Sequence, residues 1–169
     1  DRGVSALTVL GVDTSLRSTG YGVVVAENGR FRMVECGRIR NAPTVPLTAC
    51  LKEIHSRISS LIETHHPDVI AVESVIYAKN ASTMLLLGHA RGAVLTAAAS
   101  HGIEVFEYEP RRMKRACCGN SLAEKSQVQR MVKALLSLDA EPQNDAADAL
   151  AVALCLAQTN VKLQNNEAT

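Results

Sequence analysis

Two aspartates stand three residues apart in a stretch that is otherwise almost wholly apolar. Asp145 and Asp148 lie in Q-N-D-A-A-D-A-L-A-V-A-L-C-L-A, residues 143–157. In a helix this spacing places both carboxylates on one face, and the surrounding alanines and leucines indicate that the helix is mostly buried. Two like charges at a buried surface repel each other and lose hydration, so the pair predicts compensation by protons or cations. A helix start capped by Asn144, with an acidic first turn, is the alternative explanation for one of them.

Two further carboxylates end short apolar runs. Asp13 closes L-T-V-L-G-V-D and Glu73 closes D-V-I-A-V-E. If these runs form parallel neighbouring strands, the two acids meet at one edge of the sheet, where open α/β sheets place their sites. A last helix packed across that edge would bring the aspartate pair to them. For each strand-end acid alone, a solvated turn residue is the simpler interpretation.

A cluster of four carboxylates has few stable solutions, since its members either share protons or bind cations. Hard oxygen ligands on a rigid scaffold suit Mg²⁺ or Mn²⁺. Two such ions roughly 4 Å apart activate a water and stabilise the leaving oxygen in phosphodiester hydrolysis. The acids therefore predict a two-metal hydrolase site.

Positive charge is concentrated in one segment, although the net charge of the whole chain is only +1. Residues 111–133 hold seven basic side chains against one acid, Glu124. Such a surplus fits a phosphate backbone, and a solvated helix face is the alternative. The basic residues are Arg111, Arg112, Lys114, Arg115, Lys125, Arg130 and Lys133, and Lys79, Asn80 and Arg91 are candidates to extend the patch.

The elements that position these residues follow from hydrophobic periodicity. Apolar runs predict three antiparallel strands, of which the last two are joined by the hairpin sequence E-N-G-R, and then two more strands separated by a helix. The predicted class is α/β, a mixed sheet with helices on its faces. The predicted strands are 7–13, 21–26, 31–37, 68–73 and 103–108, and the predicted helices are 47–65, 80–100, 124–137 and 143–158.

The composition is that of one globular domain. The predicted domain spans residues 1–158, and the polar segment 159–169 is predicted to be a disordered tail. No apolar run approaches the roughly 18 residues that a membrane span needs. Five cysteines with no C-x-x-C pair predict reduced thiols, as is typical of a cytoplasmic protein.

Taken together, these motifs resemble the RuvC Holliday junction resolvases, a family with the ribonuclease H-like fold. The resemblance runs from V-L-G-V-D and T-G-Y-G-V-V through V-E-S-V-I-Y-A-K-N-A, L-G-H-A-R-G and A-E-K-S-Q-V-Q to D-A-A-D-A-L-A-V-A-L. It implies a five-stranded mixed sheet, three antiparallel strands and then two parallel ones, flanked by helices. It also implies that Lys114 and Lys125 contact DNA near the cleaved phosphate, and that the four metal-binding catalytic acids are Asp13, Glu73, Asp145 and Asp148.

The activity implied by the resemblance is the resolution of four-way DNA junctions by paired, symmetric nicks in recombination and repair. Two Mg²⁺ per active site are implied, with Mn²⁺ able to substitute. The implied partners are junction DNA, a second copy of the chain and a branch-migration complex of the RuvA and RuvB type. Small residues on the helix 80–100 would let two such helices approach closely, with core packing within one chain as the alternative: Ala81, Gly88, Gly92, Ala93 and Thr96.

The chain departs from the family pattern in two places. Thr14-Ser15-Leu16 stands where the family commonly has Pro-Gly-Ser. Where the family inserts an aromatic side chain at the junction centre, this chain has Ile76 with Tyr77 beside it. Either residue can serve as an apolar wedge, and Tyr77 can stack on a base; strand-end packing is the alternative for both.

Three other functions compete. A sugar kinase or actin-like ATPase also begins with a strand ending in Asp before a turn rich in Ser, Thr and Gly, but needs a second domain for which 169 residues are too few. A ribonuclease H proper shares the fold and the carboxylates, although the basic segment favours a DNA junction. A catalytically inactive junction-binding module is disfavoured because all four acids are present.

Overall fold

Five strands and five helices make up the computed structural model, which describes residues 5–74 and 80–167, with side chains to residue 160. The elements in chain order are β1 (Leu7–Asp13), β2 (Ser18–Glu27), β3 (Arg30–Arg40), α1 (Leu47–His65), β4 (Val69–Glu73), α2 (Ala81–Ser100), β5 (Val105–Tyr108), α3 (Pro110–Cys118), α4 (Lys125–Leu135) and α5 (Asn144–Glu167).

The strands form one sheet in the order β3-β2-β1-β4-β5. β1 and β2 pair antiparallel, as do β2 and β3, whereas β1 and β4 pair parallel and so do β4 and β5. The predicted mixed sheet is therefore confirmed. Asn28 and Gly29 both have positive φ in the β2–β3 turn, which is the geometry that an Asn-Gly hairpin needs.

Each sheet face is covered by helices, and residues that alternate along a strand enter two different cores. On one face α1 and α2 cover Leu10 and Val12 of β1, and on the other α3, α4 and α5 cover Val9. Both faces of such a sheet are shielded from water, which explains why its central strands are almost continuously apolar.

Glycines let α5 lie directly on the sheet. A Cβ built on Gly11 of β1 would stand 2.1 Å from the backbone oxygen of Ala149, and one on Gly20 of β2 only 1.9 Å from that of Asp145. Such distances are far inside van der Waals contact. The small side chains of the α5 alanines and the lack of side chains at the strand glycines thus together allow the helix to contact the sheet closely.

Two helices differ from the prediction. The sequence analysis missed α3, since its charges were interpreted only as a basic segment; Pro110 in the first turn and Gly119 with a φ of 71° just after the last are ordinary helix boundary signals. The last helix continues to Glu167, beyond the predicted end at 158 and into the segment expected to be disordered. No Pro or Gly interrupts residues 159–167, so backbone hydrogen bonding can continue there.

The outer face of α2 is open. Beyond their own helix, no described atom lies within 4 Å of a Cβ added at Gly88 or Gly92, so these two glycines do not pack in the core, whereas Ala93 does pack against it. Three large apolar side chains of the same helix are also exposed: Met84 by 40%, Leu85 by 63% and Leu86 by 41%. Among the described helices none combines the length and apolarity of a membrane span.

Candidate active site

The strand-end acids meet as the parallel arrangement predicts. Val12 of β1 is in register with Val72 of β4, so that Asp13 and Glu73 follow them side by side at one edge of the sheet. Both side chains are half-buried. Arg91 of α2 donates to the backbone oxygen of Glu73 at 3.2 Å and also pairs with Glu107 of β5. Arg91 therefore holds the end of β4 in place, and its expected role in the basic patch is corrected to a structural one.

The aspartate pair lies in the first turns of α5, over the same sheet edge. Ser18 of β2 donates to Asp145 Oδ2 at 2.5 Å, and Gln143 Nε2 donates to the same oxygen at 3.1 Å. The Gln143 side chain also accepts from the backbone N–H groups of Asp145 and Ala146, so Gln143 performs the capping that was expected of Asn144. Neither Ser18 nor Gln143 was singled out from the sequence, because no motif marks them.

The four carboxylates are electrostatically coupled. Burial, which is the largest cause, and the neighbouring charges of Glu73, Asp148 and Asp145 together raise the pKa of Asp13 to about 8, while Lys125 opposes them. Burial is also the main cause that raises the pKa of Glu73 and of Asp148, with Lys114 and Lys125 acting in the opposite direction on both. Carboxylates held together against their own ionisation gain most from a bound cation.

The donor set suits a divalent cation, since all four groups are hard carboxylate oxygens on a rigid sheet and helix. Within residues 5–74 and 80–167, however, no three acidic, histidine or cysteine side chains converge closely enough to enclose an ion. Ser18 and Gln143 hold Asp145, and the ammonium of Lys125 lies 3.5 Å from Asp148 Oδ2. Short rotations of these side chains would change that spacing, whereas the coupling of the four charges is set by their places at the sheet edge.

Two lysines of the basic segment lie beside these acids. Lys114 of α3 and Lys125 of α4 line a cleft of about 170 Å³ together with Glu73 and Asp148. Lys125 is 58% exposed although it contacts a carboxylate, so its ammonium can also meet a ligand in the cleft. Phosphate bound here would be held by two ammonium groups next to the carboxylates.

The other basic candidates point in different directions. Arg111 and Arg115 are exposed and, four residues apart, share a face of α3. Arg112 turns away from the cleft, since its guanidinium carbon lies 5.1 Å from the centre of the Tyr108 ring. Asn80 caps α2 by accepting from Thr83 N at 2.9 Å. Three predicted DNA-binding residues lie outside the described part of the chain: Ile76, Tyr77 and Lys79.

The turn after Asp13 retains its position although it lacks the family's usual residues. Thr19 donates its hydroxyl to the backbone oxygen of Ser15, and the buried Asn41 side chain donates to that of Leu16 at 3.0 Å. Leu16 itself is buried in the core beneath α1. Side chains of this chain therefore stabilise the turn locally.

A first prediction concerns pH and stability in EDTA. Because the pKa of Asp13 is about 8 in the folded chain and about 3.9 when unfolded, the folded state retains a proton that the unfolded state releases between those values. The stability from this group is therefore complete below pH 4 and lost as the pH rises through 8. Asp13→Asn should be more stable than the wild type by about 2 to 4 kcal/mol at pH 8, and by much less at pH 4.

Urea denaturation at both pH values measures this difference. Asp139→Asn removes an exposed aspartate from the loop before α5 and is the matched control, which we expect to follow the wild type. Equal stability of Asp13→Asn and the wild type at pH 8 would contradict the prediction.

Comparison with known proteins gives consistent matches over almost the whole chain. The family model described as "Crossover junction endodeoxyribonuclease RuvC" matches residues 9–156. A protein of that description from Alkaliphilus oremlandii is 41% identical over 154 residues, which cover 90% of this chain and 94% of the relative. One from Chromohalobacter salexigens is 48% identical, with coverage of 89% and 80%.

Solved structures agree with these matches. The structure of Thermus thermophilus RuvC in complex with Holliday junction substrate superposes with a TM-score of 0.88 at 31% identity, covering 91% of this chain and 94% of that one. The sheet order and the flanking helices are thus those of the ribonuclease H-like fold predicted from the sequence.

Proposed function

The chain belongs to the RuvC family of crossover junction endodeoxyribonucleases, and on that premise we propose that it cuts four-way DNA junctions at the edge of its sheet. The observation that supports this most directly is the coupling of four carboxylates from β1, β4 and α5 beside two lysines. The proposed catalytic and metal-binding acids are Asp13, Glu73, Asp145 and Asp148.

We propose Mg²⁺ as the cofactor, two ions per site, with Mn²⁺ able to replace it. Such ions, when bound, lower the pKa of water and stabilise charge on the leaving oxygen. Asp13 and Glu73 would hold them from the sheet and the two α5 aspartates from the helix. Ser18 and Gln143 hold the Asp145 carboxylate at the start of α5, from where a short side-chain rotation would turn it towards the ions.

The lysines act on the substrate. Lys114 and Lys125 would bind the phosphates next to the scissile bond, which aligns the backbone with the carboxylates. The ion pair between Lys125 and Asp148 must then loosen, and its exposed position makes that exchange inexpensive in free energy. Junction binding by Lys125 is therefore linked to the neutralisation of the Asp148 carboxylate by the same ammonium group.

A single assay separates the proposed function from its alternatives. A synthetic four-way junction, a linear duplex and an RNA–DNA hybrid are incubated with the protein in Mg²⁺, and the products are resolved on denaturing gels. We expect paired nicks on like strands of the junction only. Cleavage of the hybrid instead would indicate a ribonuclease H, and binding without cleavage in either Mg²⁺ or Mn²⁺ would indicate an inactive junction-binding module.

A second prediction concerns Lys125. Lys125→Ala should weaken junction binding and reduce the slope of log affinity against log salt by about one unit, as loss of one phosphate contact does. Fluorescence anisotropy across a salt series measures both quantities. Lys52→Ala on α1, beyond the opposite sheet face, is the control and should leave the slope unchanged. An unaltered slope for Lys125→Ala would place this residue away from DNA.

A third prediction concerns assembly. Paired nicks need two sites, and we propose that two copies pack through the outer face of α2, where Gly88 and Gly92 permit close approach and Leu85 is exposed. Gly88→Glu should convert a dimer into a monomer in sedimentation experiments, because it places a charge at the centre of an apolar contact. Ser56→Glu on the exposed face of α1 should remain dimeric, and a dimeric Gly88→Glu would contradict this assignment.

Four further proposals complete the proposed function. Ile76 or Tyr77 would enter the junction centre as the wedge, and proteins of the RuvA and RuvB type would be the branch-migration partners. The proposed compartment is the cytoplasm, where the five cysteines, all free in the structure, stay reduced. Residues 1–158 are proposed to form the single catalytic domain.

A further inference from the structure

The edge strand β3 presents four exposed arginines in two pairs, Arg30 with Arg32 and Arg38 with Arg40. A bulge in the pairing with β2, between Val23 and Val24, separates them. Because a bulge adds one residue to the strand, residues on its two sides that would otherwise share a face point to opposite faces of the sheet. The two pairs therefore have the same chemistry but different surroundings.

The second pair shares a sheet face with the carboxylates. Arg40 is in register with Ser18 and Arg38 with Gly20, and residues paired in this way project to the same side. Ser18 and Gly20 are the two β2 residues that contact Asp145, one through its hydroxyl and the other through its lack of a Cβ. Arg38 and Arg40 thus flank the start of α5.

The residue between them supports this orientation. Ile39 is completely buried in the core beneath α1, on the opposite face. Its neighbours must then project to the α5 side, as strand alternation requires. The first pair is different, since Arg32 is in register with Val25, and Val25 points away from Val24, which faces α5.

Arg38 and Arg40 carry charges for which the described residues provide no partner. Among the described residues neither forms an ion pair or a side-chain hydrogen bond, whereas Arg17 donates to two backbone oxygens and Arg91 pairs with Glu107. Two exposed guanidinium groups on the sheet face that carries the carboxylates can therefore meet an anionic ligand.

We propose that Arg38 and Arg40 bind phosphates of the substrate DNA on the β3 side of the cleft, across the carboxylates from Lys114 and Lys125. This inference rests on the proposed function and extends its DNA-binding surface to a strand that the basic segment 111–133 does not include. Residues i and i+2 of a strand stand about 6.6 Å apart, a spacing comparable to that of neighbouring phosphates along one strand. The DNA would then be held on both sides of the scissile bond.

The competing explanation is protection of a sheet edge. Charged side chains on an edge strand prevent pairing with other chains, and all four arginines can serve that purpose equally. The two explanations differ in what they predict for the two pairs. Only DNA binding makes Arg38 and Arg40 matter more than Arg30 and Arg32, which lie roughly 25 Å along the strand on the other side of the bulge.

The test compares two double variants, Arg38→Ala with Arg40→Ala and Arg30→Ala with Arg32→Ala, with the wild type. Binding of a labelled four-way junction is measured by anisotropy without divalent cations between about 50 and 200 mM salt. We expect the first variant to bind about ten-fold or more weakly, with a salt slope reduced by about two units, and the second to match the wild type. The charge-conserving double variant, Arg38→Lys with Arg40→Lys, should retain the wild-type slope.

Urea denaturation of each variant establishes that the fold is kept. If the double variant at Arg38 and Arg40 binds the junction with the affinity and salt slope of the wild type, the inference is overturned. Equal losses of affinity in both double variants would also overturn it, because they would indicate a general effect of charge. Failure of the proposed function is distinguishable from both results, because then the wild type itself would neither prefer the four-way junction over a duplex nor cut it.

Discussion

Asp145→Asn should abolish junction cleavage while leaving junction binding almost intact. The change removes one carboxylate charge from the site but keeps the shape of the side chain and its capacity to accept the hydrogen bond from Ser18. A weakened metal site loses stabilisation of the transition state worth several kcal/mol, so the cleavage rate should fall by about 10³-fold or more. Because Lys114 and Lys125 are unchanged, the dissociation constant for the junction should stay within a few-fold of the wild type.

Single-turnover cleavage in Mg²⁺ and anisotropy titrations on the same junction measure the two quantities separately. The matched control is Asp139→Asn, which removes the same charge six residues earlier from an exposed loop and should cleave at the normal rate. Normal cleavage by Asp145→Asn would show that the carboxylate is dispensable, and the proposed metal site would then be wrong. A parallel loss of binding would instead indicate a structural role for this residue.

Gly20→Ala should destabilise the protein and inactivate it together. Its new methyl would stand 1.9 Å from the backbone oxygen of Asp145, and that oxygen belongs to the start of a helix rather than to a flexible side chain. Either β2 or α5 must move, which costs about 3 kcal/mol or more. For a domain of this size the melting temperature should fall by roughly 6 to 12 °C. Since the displaced residue is a proposed metal ligand, cleavage should decline beyond the loss of folded protein.

The control is Ser56→Ala on the exposed face of α1. This exposed helical position should tolerate the change, since Ala is the better helix former by less than about 1 kcal/mol. Differential scanning calorimetry and cleavage by the folded fraction test both parts of the prediction. An unchanged melting temperature in Gly20→Ala would mean that the contact between α5 and the sheet is looser than the structure indicates.

The elements themselves were predictable from local patterns. Helical spacing predicted α1 at 47–65 with both ends correct, and strand patterns predicted all five strands, although β2 and β3 extend further than expected. Those longer ends include Ser18, Arg38 and Arg40, whose polar side chains obscure the apolar signal. The helix α3 was missed because its high charge outweighed the boundary signals of Pro110 and Gly119.

The site was predictable only in part. Carboxylates in apolar surroundings are conspicuous, so the four acids were found by residue type and by their place at the ends of elements. The residues that hold those acids were not found in that role, because the side-chain contacts of Ser18, Arg91 and Gln143 leave no pattern in the sequence. Charge density in the sequence also failed to separate Arg112, which stacks on Tyr108, from the lysines at the cleft.

By itself, the sequence determined the alternation of strands and helices, the four acids that carry the proposed chemistry and the family to which the chain belongs. All of these follow from residue type and short-range spacing, which the backbone geometry of a strand or a helix converts directly into position. The tertiary structure alone decided how closely α5 approaches the sheet, which pairs of arginines share a face with the carboxylates, and how burial raises the pKa of Asp13. These properties depend on the register of the strands, on the bulge between β2 and β3 and on the absence of side chains at Gly11 and Gly20. Together these features bring groups into contact that lie more than a hundred residues apart in the sequence.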